Sequence, residues 1–154
     1  MVTMTKIEAV LTRADQTCQQ QGARLTSKRR TMLAILLEAG VPCSAYEIVE
    51  HYREKTGETI PAMSVYRMLD FLMAQGLVHK LASTNKFIAC EHITCSHSHK
   101  APQFLICDGC HSVQEIGVDK TLFNALQHSI DQQHFQLNSP QLELHGLCEV
   151  CQRP

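Results

Sequence analysis

Eight cysteines and nine histidines stand in a chain of 154 residues, and six of the cysteines and eight of the histidines fall from His79 onward. Cys107-Asp108-Gly109-Cys110 and Cys148-Glu149-Val150-Cys151 are two C-x-x-C pairs. Two residues between cysteines let both thiolates reach one ion from a single tight turn. Two such turns complete a tetrahedral four-sulfur shell with no open position, which is the chemistry of structural zinc. The gap between the pairs exceeds the roughly 15–20 residues of a minimal zinc ribbon, so the metal would pin the ends of a larger module. A thioredoxin-like redox role fits less well, because that chemistry uses a single pair in a βαβ setting. Buried or disulfide-bonded cysteines are the remaining alternative.

A second set of donors lies outside these pairs: His79, Cys90, His92, Cys95, His97, His99 and Glu115. A site drawn from them mixes nitrogen, sulfur and oxygen ligands from separate segments. Its affinity then depends on how those segments are arranged, which suits a sensor. A thiolate among the ligands favours zinc over manganese. The bland alternatives are solvated loop histidines and, for Cys90 after Phe87-Ile88-Ala89, a core cysteine. A zinc enzyme would need an open coordination position and a base, for which only Glu91 and Glu115 are near; neither H-E-x-x-H nor a deaminase-type H-x-E with P-C-x-x-C occurs.

The elements that must position these residues differ between the two halves. Ile7, Leu11, Ala14 and Cys18 recur at helical spacing over 6–21, before Gly22. Thr26 caps a helix from Ser27 to about Ala39, with Leu25 as a hydrophobic staple and Gly40 after it. Ser44-Ala45-Tyr46-Glu47 is a capping box for a third helix ending at Thr56-Gly57. Ala62 to Gln75 carries the apolar stripe Val65, Met68, Leu69 and Leu72. Short strands are expected at 77–81 and 86–89 around the turn Ser83-Thr84-Asn85. Helices followed by a β-hairpin have the order of a winged helix-turn-helix. The second half reads as strands near 104–106 and 113–118, a helix from Lys120 to about Gln133 capped by Asp119, and a strand at 142–144. The expected division is 1–85, a winged-helix DNA-binding domain, and 86–154, a small α/β metal-binding module: an α+β protein.

Composition sets limits on partners. Hydrophobic residues are 44% and charged residues 19%, which excludes a disordered chain. Fourteen Lys and Arg balance fifteen Asp and Glu, so no overall field draws the chain to nucleic acid or membrane. DNA binding therefore needs a focused patch. Arg24-Leu25-Thr26-Ser27-Lys28-Arg29-Arg30 is one, at a helix start. Ser64, Tyr66 and Arg67 lie in the first half of the candidate reading helix, where helix-turn-helix proteins contact bases, and Tyr46 is on the first turn of the helix before. The alternative is that the tyrosines pack and the basic run is a solvated face. No signal peptide or membrane-length apolar run is visible, so a cytoplasmic setting is expected.

Taken in order, Arg24 to Arg29, Ser44 to Glu47, Ser64-Val65-Tyr66-Arg67-Met68-Leu69-Asp70-Phe71-Leu72, Gly76-Leu77-Val78-His79-Lys80 and the two C-x-x-C pairs resemble the ferric uptake regulator superfamily over residues 5–151. His79-Lys80 with Ser83-Thr84-Asn85, Cys90 and His145-Gly146-Leu147-Cys148 resemble its zinc uptake regulator branch. The resemblance implies a homodimeric repressor of zinc uptake genes that binds AT-rich palindromic operators when its sensory zinc is bound. It implies two zinc ions per protomer. One is structural, on Cys107, Cys110, Cys148 and Cys151. The other is sensory, on His79, Cys90, Glu115 and a histidine before the first pair, where His99 fits best and His97 is the other candidate. Tyr46 and Arg67 match base-contacting positions. Glu50 and Arg53 match positions where adjacent dimers pair on DNA. Iron-, manganese- or peroxide-sensing relatives share the scaffold, and Cys90 favours zinc among them. The dense histidine run that iron-sensing relatives carry before the first pair is sparse here, at His97-Ser98-His99-Lys100.

Overall fold

Helix α1 (Met4–Gln20) buries Ile7, Leu11, Ala14 and Cys18, the stripe marked by the sequence. Helix α2 (Ser27–Ala39) buries five consecutive residues, Met32 to Leu36. A helix apolar on all sides belongs at the centre of a bundle, and α2 contacts α1, helix α3 (Ala45–Thr56), helix α4 (Ala62–Ala74) and strand β2 (Lys86–Ala89). Thr26 accepts from the Arg29 amide at the N-terminus of α2. At α3 the capping box closes in both directions: Ser44 Oγ accepts from Glu47 N–H at 3.2 Å, and Glu47 Oε2 accepts from Ser44 N–H at 2.6 Å. That second bond holds the Glu47 carboxyl below its ordinary range. Gly57 ends α3 in the left-handed conformation (φ 76°), which costs an L-residue energy and glycine little.

These elements belong to the first of two compact units, Met1–Ser96; the second is His97–Pro154. The computed structural model describes residues 3–94 and 103–154. Strands β1 (Val78–Leu81) and β2 pair antiparallel, with His79 opposite Ile88, and both belong to the first unit. The sequence gives no hint of a third participant: Cys43 exchanges backbone hydrogen bonds with Phe87 at 2.9 and 2.8 Å, tying the hairpin to the start of α3. This is a winged helix-turn-helix.

In the second unit β3 (Gln103–Cys107) is central, antiparallel to β4 (Val113–Ile116) and parallel to β5 (Leu142–Gly146). Helix α5 (Lys120–Asp131) crosses between β4 and β5, and Asp119 caps it by accepting from Thr121 N–H. Gln103, buried at the start of β3, accepts from Leu142 N–H at 2.7 Å and donates to Pro140 O at 3.2 Å, which sets the β5 register. The core here is thin. Phe104, Ile106 and Cys107 are buried, α5 buries nothing, and Leu105, Leu122, Phe135 and Leu144 are exposed. Cys18 and Cys43, the cysteines of the first half, are buried thiols whose pKa values burial raises. They are core residues.

Candidate metal centre and nucleic-acid interface

The strand β3 ends at Cys107, and the chain turns back at once. Cys107 N–H donates to Ser112 O, and His111 N–H donates to Cys107 O, both at 2.9 Å. His111 adopts φ 62° to close this turn. Asp108 N–H donates to Gly146 O at 2.8 Å, extending the β3–β5 ladder and laying the second knuckle beside the first. Cys148 is the N-cap of a one-turn helix, α6 (Glu149–Gln152), which carries Cys151. The four ligand sulfurs of Cys107, Cys110, Cys148 and Cys151 all lie within 4.8 Å of one another. Cys110 Sγ and Cys148 Sγ are 3.7 Å apart; the edge of a tetrahedral zinc–thiolate shell with bonds of about 2.3 Å is about 3.8 Å.

The electrostatics also fit a cation. Backbone amides of Cys110, Cys148 and Gly109 point at the Cys107 sulfur and lower its thiol pKa to about 6; the Cys148 amide is 3.3 Å away. The Ser112 hydroxyl, 3.1 Å from Cys110 Sγ, lowers that thiol as well. Cys151 is pushed up to about 12 by the sulfurs of Cys148, Cys107 and Cys110. The site favours the first thiolates and resists the last, a conflict that a divalent cation removes.

Two supports were not visible in the sequence. His145 Nδ1 lies 2.9 Å from Asp108 Oδ1, joining the end of β5 to the first knuckle. Gly109 lies against Cys151: a Cβ there would stand 2.9 Å from Cys151 Sγ and 3.1 Å from its Cβ. A sulfur held by metal cannot swing away. Gly109→Ala is therefore expected to weaken zinc retention by about 10–100-fold, the usual cost of disturbing a ligand's support. Competition with a chromogenic chelator measures it, and unchanged retention would contradict the close packing.

The second donor set divides between the units. On the hairpin, Cys90 N–H donates to Leu77 O at 2.9 Å, adding one rung to the β1–β2 ladder. Residues opposite each other in an antiparallel pair share a face, so Cys90 and His79 lie diagonally on the same face of the wing. Cys90 is buried, and its sulfur accepts the His92 amide at 3.4 Å. In the second unit Glu115 is a buried carboxylate on β4, opposite Phe104. Cys95, His97 and His99 lie outside the described residues.

Helix α4 sorts its residues cleanly. Val65, Leu69 and Leu72 face the core, while Tyr66, Arg67 and Asp70 are on the exposed side. Ser64 is half-buried in the first turn. Tyr46 is 74% exposed on the first turn of α3. Arg24 and Lys28 are exposed at the entry to α2. Arg29 is engaged within the protein: its guanidinium lies 3.7 Å over the Phe71 ring and donates to Arg24 O at 2.9 Å. Its contact with α4 fixes how α2 meets that helix.

A winged helix-turn-helix joined to a small α/β module with a four-cysteine knuckle pair defines a class of metal-dependent regulator, and the family model of the ferric uptake regulator family matches residues 20–145. The chain belongs to the ferric uptake regulator family. Within it, the zinc uptake regulation protein of Escherichia coli (strain K12) is 34% identical over 148 residues, covering 96% of this chain and 84% of that protein. A solved structure of a zinc uptake regulator complexed with zinc and DNA matches at a TM-score of 0.82 and 30% identity, over 97% of this chain and 96% of that one. The crystal structure of holo XcZur matches at 0.78 and 38% identity, over 97% and 99%.

Proposed function

We propose that this chain is a zinc-responsive transcriptional repressor that binds AT-rich palindromic operators as a homodimer when its sensory site is filled, and so controls zinc uptake genes in the cytoplasm. The observation that carries the reading is the placement of His79 and Cys90. Both stand on one face of the wing, the hairpin that follows the DNA-reading helix directly in the DNA-binding unit. A metal held there acts on the element that presents the protein to DNA. The likeness to a zinc uptake regulator solved with zinc and DNA supports the same reading.

Two zinc ions per protomer are assigned. Cys107, Cys110, Cys148 and Cys151 hold the structural ion. His79 and Cys90 hold the sensory ion from the wing, with Glu115 and His99 completing the set. The bound ion supplies a crosslink between these segments. The residues do the rest: the wing donors fix the hairpin, which is joined to α4 through the chain at Gly76 and to the start of α3 through the Cys43–Phe87 pairing. A 10³-fold preference for DNA in the filled state corresponds to about 4 kcal/mol of coupling.

The wing strand β2 (Lys86–Ala89) lies in the first unit, so the division expected near residue 85 moves to about residue 96: DNA binding is assigned to the first unit, and the structural metal and dimerisation to the second. The exposed Leu105 and Leu144, neighbours in register on β3 and β5, and the unburied α5 supply apolar surface for the homodimer. Glu50 and Arg53 pair with each other on α3 at 2.5 Å; on DNA we propose that they exchange partners with an adjacent dimer. No helix among the described residues is long and apolar enough to cross a membrane.

Arg67 reads a base from the exposed side of α4, Tyr46 contacts DNA from α3, and Ser64, Tyr66, Arg24 and Lys28 flank them. Arg67→Ala should weaken operator binding by roughly 10–100-fold, the worth of one bidentate base contact, with zinc content unchanged. Fluorescence anisotropy at fixed salt measures it. Unaltered binding would remove Arg67 from the interface; an enzyme or a protein-interaction module would show no operator binding to lose.

A further inference from the structure

Met63 is the second residue of α4, two positions after the Pro61 N-cap, and 64% of it is exposed. The helix buries Val65, Leu69 and Leu72, so its outward stripe is Met63, Tyr66, Arg67 and Asp70, at i, i+3, i+4 and i+7. A single exposed methionine is ordinary on a protein surface. This one shares a stripe with Arg67 and lies one turn closer to the helix N-terminus, the end that enters the major groove in helix-turn-helix docking. Asp70, a carboxylate one turn beyond Arg67, bounds the stripe on the other side, because it would repel phosphate. The part of α4 able to approach DNA is thus its first two turns, and its leading large side chain is unbranched, apolar and adaptable.

An apolar side chain in the major groove has one base feature to recognise. Only thymine presents a methyl group there; the other bases show hydrogen-bond donors and acceptors, which a thioether cannot pair. We propose that Met63 is a specificity-determining residue, packing on a thymine 5-methyl group in each half-site beside the base read by Arg67. The inference rests on the DNA-binding reading above and adds the base class and the residue. Tyr46, on α3, and Tyr66, on the same stripe, are also exposed and able to touch a methyl, so the test must separate Met63 from both.

The test is a methyl-deletion cycle. An operator is first selected from random-sequence DNA with the zinc-loaded full-length protein. Each thymine is then replaced singly by deoxyuridine, which removes the 5-methyl group and leaves base pairing unchanged. Binding is measured for wild type, Met63→Ala, Met63→Leu, Tyr46→Ala and Tyr66→Ala. Losing one buried methyl corresponds to about a fourfold drop in affinity. The expected result is one thymine per half-site whose replacement weakens wild type and Met63→Leu about fourfold, leaves Met63→Ala unaffected, and still weakens Tyr46→Ala and Tyr66→Ala. Met63→Arg should shift the preferred base at that step toward guanine in a repeated selection. Equal uracil penalties for wild type and Met63→Ala at every thymine would overturn the assignment, as would a penalty that disappears only in Tyr46→Ala or only in Tyr66→Ala. Failure to select any operator would overturn the assignment together with the DNA-binding reading, whereas zinc-dependent selection without a Met63-linked penalty overturns the assignment alone.

Discussion

Stripping the metal with a strong chelator unfolds the C-terminal unit and leaves the N-terminal unit folded. The reason is the imbalance between the two cores. The first unit surrounds α2 with buried side chains from α1, α3, α4 and the hairpin. The second buries Phe104, Ile106 and Cys107, while its one long helix buries no residue at all. A module of this size is marginal without a staple. Binding of a structural zinc contributes about 10–16 kcal/mol in small zinc domains, as much as the total stability of an ordinary domain. The four thiols do not replace it, because neighbouring sulfurs already oppose ionisation of Cys151. Amide NMR of the chelated protein should show residues 103–154 collapsing toward random-coil shifts and residues 3–94 retaining their dispersion. Dimers should dissociate in the same sample. A C-terminal unit that keeps its dispersed resonances without metal would show that the knuckles are not its fastener.

Cys90→Ser should lower zinc content from two ions to one per protomer and abolish zinc-dependent DNA binding. Serine keeps the size of the side chain but replaces a soft thiolate with a hydroxyl that zinc binds poorly. The backbone there is anchored independently by the bond from Cys90 N–H to Leu77 O, so the wing should survive. The four-cysteine site, in the other unit, should retain its ion. The expected loss at saturating zinc is the full coupling, about 10³-fold in operator affinity. Metal analysis of the dialysed variant, with anisotropy on the same preparation, checks both halves. A variant that keeps two zinc ions, or that still tightens on the operator with zinc, would take Cys90 out of the sensory site.

Features legible in the sequence are those whose physics is local. The capping box at Ser44 and Glu47, the α1 stripe and the two C-x-x-C turns each declare themselves within a few residues, and the structure has them. Thr26 and Asp119 cap as their positions suggest. What escaped depends on distant partners. The Cys43–Phe87 pairing joins single residues on different segments, with no periodicity to betray it. The Gln103 clamp on β5 and the His145–Asp108 link are side-chain bonds across more than 35 positions. Helix α6 is one turn long, too short for a periodic signal. Gly109 looks like any turn glycine until Cys151 is placed against it. Arg29 reads as part of a basic patch, but Phe71 lies beneath its guanidinium. For the proposed sensory set, the sequence offers candidate donors, while their assembly depends on segments far apart in the chain, and His99 lies outside the described residues.

Under the proposed function, filling a second zinc site makes this protein a DNA binder. The most direct measurement is the affinity of full-length dimer for a fluorescent AT-rich palindromic operator, at fixed salt, as buffered free zinc is raised from a state in which only the four-cysteine site is filled. A steep rise in affinity, approaching about 10³-fold, is expected to coincide with uptake of a second zinc per protomer. Tight binding before that second zinc enters, or binding that responds to iron and not to zinc, would contradict it.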